Sequence, residues 1–138
     1  MSDRDRIEAM VRETYARRCA GDIDGFMAMF GPEPRFRLAG DEILGDLTVE
    51  IRGHKDVRAV LERLTNAWDW SDYRVDAVVV DGDRAVVHGK GTMFYVPKQQ
   101  RIATETLDIL TIADGKITDF VEFCDTHMAA RAMDLLPV

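Results

Sequence analysis

In the stretch "ETLDILTIADGKITDFVEFCD", residues 105 to 125, two carboxylates, Asp108 and Glu122, stand among Leu, Ile, Val and Phe. The alternation reads as two β-strands folded at Asp114-Gly115, a dipeptide suited to a tight hairpin turn. A carboxylate in such a strand lies either on a wet face, where it has little consequence, or on a buried face, where desolvation raises its pKa and a second acid nearby raises it further. Two acids tuned apart in this way can act as a neutral hydrogen-bond donor and a base. Strand alternation puts Phe120, Glu122 and Cys124 on one face and Val121, Phe123 and Asp125 on the other, and apolarity alone does not choose between the faces. Pairing of either acid with an Arg or Lys is the alternative to chemistry.

His88 is the other candidate for proton handling. In "AVVHGKGTMF" it shares a face with Lys90, Thr92 and Phe94, and an acid neighbour would orient its ring. Lys90 on the same face could instead neutralise Asp108 or Glu122. His54 reads as a helix-terminus residue and His127 as exposed. With no His-x-x-x-His or Cys-x-x-Cys spacing and three histidines in three separate elements, no metal site is expected. "GKGT" lacks the order of a phosphate loop, and without a Gly-x-Ser-x-Gly elbow or a histidine implied near Cys124, nucleophilic catalysis has no support.

The elements that must position these residues follow from periodicity. "SDRDRIEAMVRETYARRCAGD" is an amphipathic helix with Ser2 or Asp3 as cap and Gly21 as stop. Asp22 caps a shorter helix expected to run through Phe30 and to end at "GPEP". "RFRLAG" alternates as a strand, and a second short strand is expected from Thr48 to Arg52. Val57, Val60, Leu61, Leu64 and Trp68 recur at helical spacing. Two long hairpins then follow, the first turning at Asp81-Gly82-Asp83, and a short helix is expected from Thr126. Helices segregated from an antiparallel sheet predict an α+β layered domain, with a cleft where the sheet curves.

The chain's 138 residues fit a single domain, 1–138, that needs no disulfide or metal to stand. A net charge of −7, with the arginines of the first helix interleaved among acids, argues against nucleic acid as a partner. No apolar run approaches the ~18 residues of a membrane span, and Cys19 and Cys124 are expected to stay reduced. A cytoplasmic protein is the expectation.

"ETYARRCAGDIDGFMAMF", "IRGHKDVRAVLERL" and "DGKITDFVEFCD" resemble, in that order, three landmarks of the nuclear-transport-factor-like superfamily, and within it the SnoaL-like and ketosteroid-isomerase-like proteins. The resemblance implies a cone-shaped fold in which a strongly bent, mainly antiparallel sheet wraps round three helices of the N-terminal half. It also implies a deep apolar pocket and frequent homodimers. It does not imply one reaction, since the superfamily includes isomerases, dehydratases, cyclases, epoxide hydrolases and binding domains.

Laid on the steroid isomerases, the general-base position is Leu38 and the oxyanion tyrosine position is Thr14, so both groups are missing, while the oxyanion-stabilising acid falls on Asp108. Tyr15 matches the aromatic usual in SnoaL-like relatives. Glu122 matches the final-strand acid of limonene-epoxide hydrolases, whose Arg-x-Asp pair has no counterpart in "VVHGKGTMF". These comparisons turn Thr106, Asp108, Leu110, Ile112, Phe120, Glu122 and Cys124 inward.

The expectation is a cofactor-free acid–base isomerase, dehydratase or cyclase acting on a small hydrophobic substrate, cyclic ones included. Asp108, Glu122 and His88 would handle protons and Tyr15 would donate a hydrogen bond. Phe26, Phe30, Leu38, Trp68, Phe94, Leu110, Phe120 and Cys124 would bound the pocket. The alternative is a non-catalytic ligand-binding or association domain of the same fold. Apolar Leu107, Ile109, Val121 and Phe123 on the opposite face predict a homodimer.

Overall fold

The computed structural model describes residues 2–137. Helix α1 (Asp3–Cys19) starts in a capping box between Ser2 and Asp5, and Gly21, with φ of 73°, ends the turn that follows it. Helix α2 (Ile23–Met27) is capped by Asp22, whose side chain accepts from the Gly25 N–H. Strand β1 (Phe30–Ala39) leads into a 3₁₀ segment, Glu42–Thr48, and then a two-residue strand β2 (Ile51–Arg52). Helix α3 (His54–Ala67) follows, and after it come β3 (Trp68–Asp81), β4 (Arg84–Tyr95), β5 (Gln100–Ala113) and β6 (Lys116–Phe123). Helix α4 (Thr126–Ala132) closes the order. No helix among the described residues is long and apolar enough to cross a membrane.

The six strands form one sheet in the order β2-β1-β6-β5-β4-β3, with β1 and β6 parallel and every other neighbouring pair antiparallel. Register breaks in the β3–β4 pair, between Asp69 and Asp72 and between Val75 and Ala77, add twist and bend to that arm. Gly91 permits the bend, because a Cβ there would overlap the Asp72 carbonyl oxygen. The mainly antiparallel sheet curls round α1, α2 and α3 as an α+β cone, with the core between them: Val11 and Tyr15 of α1, Phe26 of α2, and Val57 and Leu61 of α3 are all buried.

Two boundaries differ from expectation for identifiable reasons. Phe30 opens β1 instead of closing α2, because the Ile117 N–H bonds to the Met29 carbonyl at 2.9 Å and draws this segment onto β6. Pro32 and Pro34, expected to follow a helix end, sit in the irregular stretch of register between Phe30 and Arg35, where the missing N–H groups do little harm. The expected strand from Thr48 is shorter because the chain before it winds as 3₁₀ helix, kinked at Gly45, and buries Leu44 and Leu47.

Directly opposed residues of neighbouring strands point to the same side of a sheet. Leu38, Glu122, Asp108 and Val87 therefore form one row across the concave face. The next row, Ala39, Phe123, Leu107, His88 and Ala77, faces outward.

Candidate active site

Tyr15 and Arg18 lie three residues apart on the buried stripe of α1 and point at the concave row. Arg18 Nη1 donates to Glu122 Oε1 at 2.7 Å, with both residues 4% exposed. The guanidinium carbon lies 3.7 Å from the centre of the Trp70 ring, a cation–π contact that holds its plane. Beside this pair, the Tyr15 hydroxyl is hydrogen-bonded to Asp108 Oδ2, and Asp108 is fully buried. The Tyr73 hydroxyl meets Thr106 Oγ1 at 2.7 Å.

Burial raises the Asp108 pKa well above the ordinary aspartate value, and the facing Glu122 carboxylate adds to the rise, while Arg18 pulls the other way. No hydrogen bond reaches Asp108 Oδ1, a deficit less costly for a neutral carboxyl than for a charged one. Burial and the neighbouring Asp108 likewise raise Tyr15. Burial works against the charge of Arg18, but Glu122 and Asp108 outweigh it and its pKa is raised. The Cys124 thiol is pushed up to about 12 by burial, then by Glu122, so it is a poor nucleophile at neutral pH.

A proton retained by native Asp108 is one that the unfolded chain releases in the ordinary aspartate range. Stability therefore falls as pH rises from that range through the native pKa of Asp108, and levels off above it. Asp108→Asn is expected to abolish this decline while keeping a hydrogen bond to Tyr15. Urea unfolding of both proteins from about pH 4 upward checks it, and parallel pH profiles would contradict it.

The Arg18–Glu122 pair forms part of the wall of a cavity of about 70 Å³. Thr104 and Thr106 are the other polar side chains of that wall, and the rest is apolar, including Trp70, Met93 and, from α4, Met128. Of the pocket residues expected from sequence, Leu38, Trp68 and Cys124 line the cavity. Phe26, Phe30, Leu110 and Phe120 are packed in the solid core and do not line it. Tyr15 and Asp108 do not line the cavity, and Asp108 stands beside Glu122 on the neighbouring strand.

Three expectations for β4 need correction. His88 does not converge with the acids: it is opposed to Leu107 on the convex face, where its ring nitrogen meets Glu105. Phe94 is on that same outer face, with the Arg101 guanidinium 5.7 Å from its ring centre, and does not line the cavity. Inward Asp108 is opposed to Val87, and that register turns the even positions of β4 outward. Lys90 does not neutralise either acid. It faces Asp76 at 3.9 Å, and Arg18 takes the role instead.

Arg18 is the site residue that sequence reasoning missed. The available signal was its place seven residues after Val11 on the buried stripe that also carries Thr14 and Tyr15. Among the described residues no group of three or more His, Cys, Asp or Glu is placed to hold a metal ion.

A family profile described as a SnoaL-like domain matches residues 11–120. Among solved structures the chain is similar to an NTF2-like protein of unknown function from Burkholderia pseudomallei, at 21% identity and a TM-score of 0.79 over 95% of this chain and 97% of that one. It is also similar to a proposed isomerase from Bacillus subtilis (10%, TM-score 0.86, covering 99% and 98%) and to a proposed SnoaL-like polyketide cyclase from Jannaschia sp. CCS1 (18%, TM-score 0.80, 99% and 98%). No curated protein matches its sequence significantly. At these identities the structures speak for the fold alone, whereas the profile spans most of the sequence: the chain belongs to the SnoaL-like domain family.

Proposed function

We propose that the protein moves a proton on a small, mostly apolar substrate without a cofactor, in an isomerisation, dehydration or cyclisation. The observation that carries this reading is a buried carboxylate, Glu122, held by Arg18 at the edge of an otherwise apolar cavity. Glu122 lines that cavity, and Arg18 is its one side-chain hydrogen-bond partner among the described residues. In this role Glu122 accepts the proton and returns it. Asp108, neutral beside it, and Tyr15 keep that part of the sheet free of a second negative charge and fix its geometry.

The cavity is small, about 70 Å³. An apolar cavity of about 150 Å³ holds benzene, so admitting a ring requires Met128, Met133 and their neighbours to shift, which flexible thioether chains do readily. The test is hydrogen–deuterium exchange in D₂O over a panel of small cyclic ketones. Exchange catalysed by the wild type and lost in Glu122→Gln is expected, and equal exchange by both would overturn the assignment.

A ligand carrier is the second reading. It is favoured by Leu38, which faces Glu122 across the β1–β6 pair where a carboxylate would otherwise supply a second base.

The proposal includes a homodimer through the convex face and a cytoplasmic location, in keeping with both cysteines being free thiols. Val79, Leu107 and Phe123 are 59%, 41% and 39% exposed there, beside Ile109 and Val121, and water-facing apolar rows of this kind mark contact surfaces. Sedimentation at micromolar concentration should give a dimer for the wild type and a monomer for Leu107→Asp. A monomeric wild type would remove the dimer from the account.

A further inference from the structure

Arg18 has more donor capacity than Glu122 uses. A guanidinium offers five N–H donors in a planar fork. Among the described residues its one hydrogen bond is from Nη1 to Glu122 Oε1. Glu122 is the one side-chain partner of that guanidinium, a carboxylate engages at most two of its donors, and Arg18 lines the cavity. Thr104 Oγ1, in the same wall, is occluded and unpartnered. An apolar cavity thus holds one cation with donors to spare and one carboxylate, with an occluded, unsatisfied hydroxyl behind its surface.

We propose that Arg18 is a binding residue for the oxygen of a small, mostly apolar monoanion, and that binding such an anion takes up about one proton. The inference rests on the reading of this cavity as the ligand site. The charges of the wall balance as one cation, Arg18, against one anion, Glu122, while burial favours the neutral form of the neighbouring Asp108. A bound anion would add a second negative charge to a wall of Leu, Trp and Met side chains, where unpaired charge is costly. A proton on Glu122 restores the balance: Arg18 turns its donors to the ligand oxygen, and protonated Glu122 becomes a donor itself. The same exchange of partners would serve turnover, since a proton moved from a neutral ligand to Glu122 leaves the new negative charge on the ligand beside Arg18. No bond other than that to the proton changes, and no co-reactant is needed.

The delocalised oxyanion could be a carboxylate or the enolate of a 1,3-dicarbonyl, and the probes separate them. Calorimetric titrations at pH 7 in two buffers of different ionisation enthalpy would use benzoate, cyclohexane-1,3-dione, which is an anion at that pH, and neutral cyclohexanone. At least one anion is expected to bind about tenfold or more tightly than cyclohexanone, the scale of a hydrogen bond to a charged group, with uptake of about one proton. Preference for the dione assigns an enolate-like ligand, and preference for benzoate assigns a carboxylate.

The double variant Arg18→Met/Glu122→Leu, which leaves neither charge unpaired, is expected to keep cyclohexanone binding and lose the preference for anions. Anions binding no better than cyclohexanone, or binding without proton uptake, would overturn the inference. Failure of the proton-transfer reading looks different: anion binding persists but ketones show no deuterium exchange. If exchange persists and neither anion inhibits it, the anion site fails alone.

Discussion

Arg18→Met is expected to lower the free energy of unfolding by about 3–5 kcal/mol, the cost of leaving a buried carboxylate without its partner. Methionine fills much of the same volume and can lie against Trp70, so packing accounts for little of the loss. What is lost is the only side-chain partner of the Glu122 carboxylate among the described residues, at a site where both are nearly inaccessible to water. Arg18→Met/Glu122→Leu is expected to regain most of the stability, because replacing both members of a buried ion pair by apolar groups is often neutral or favourable. Urea unfolding at pH 7 of the wild type, the single variant and the double variant checks both statements. A single variant as stable as the wild type, or a double variant less stable than the single, would contradict the account.

Glu122→Gln is expected to reduce turnover by about 10²–10⁴, the usual contribution of a positioned general base. Its amide oxygen can still accept from Arg18 and its shape is nearly unchanged, so the fold persists. The variant nonetheless leaves a buried cation without a counter-charge and should be less stable than the wild type. This sign discriminates between environments. Had Glu122 been an unpaired acid crowded only by Asp108, removing its charge would have been neutral or stabilising. The observed partner, Arg18 at 2.7 Å, reverses that expectation.

The elements of the fold were legible where one periodicity dominates. Helix α3, with Val57, Val60 and Leu61 buried, follows its apolar stripe, and the β5–β6 hairpin turns where Asp114 and Gly115 both adopt positive φ. Legibility ended where an apolar run fits two structures, as at Phe30, whose place in β1 depends on contact with Ile117, a residue far along the chain. In β4, Val86 and Val87 are both apolar and glycines stand at 89 and 91, so the strand carries no inside–outside contrast. Only pairing with β5 turns His88 outward. Arg18 was hidden for a different reason. An arginine late in a charged helix reads as solvated, and its burial depends on Glu122 and Trp70, which lie far off in sequence and meet it only in the folded sheet.

The central claim is that two facing acids of the concave sheet divide their roles, with Asp108 neutral and Glu122 charged against Arg18. Carboxyl-resolved ¹³C NMR across a pH titration tests this most directly, with Asp108→Asn identifying the Asp108 signal. The Asp108 signal is expected to remain that of a protonated carboxyl at neutral pH. An Asp108 that titrates near the ordinary value of about 4 would contradict it.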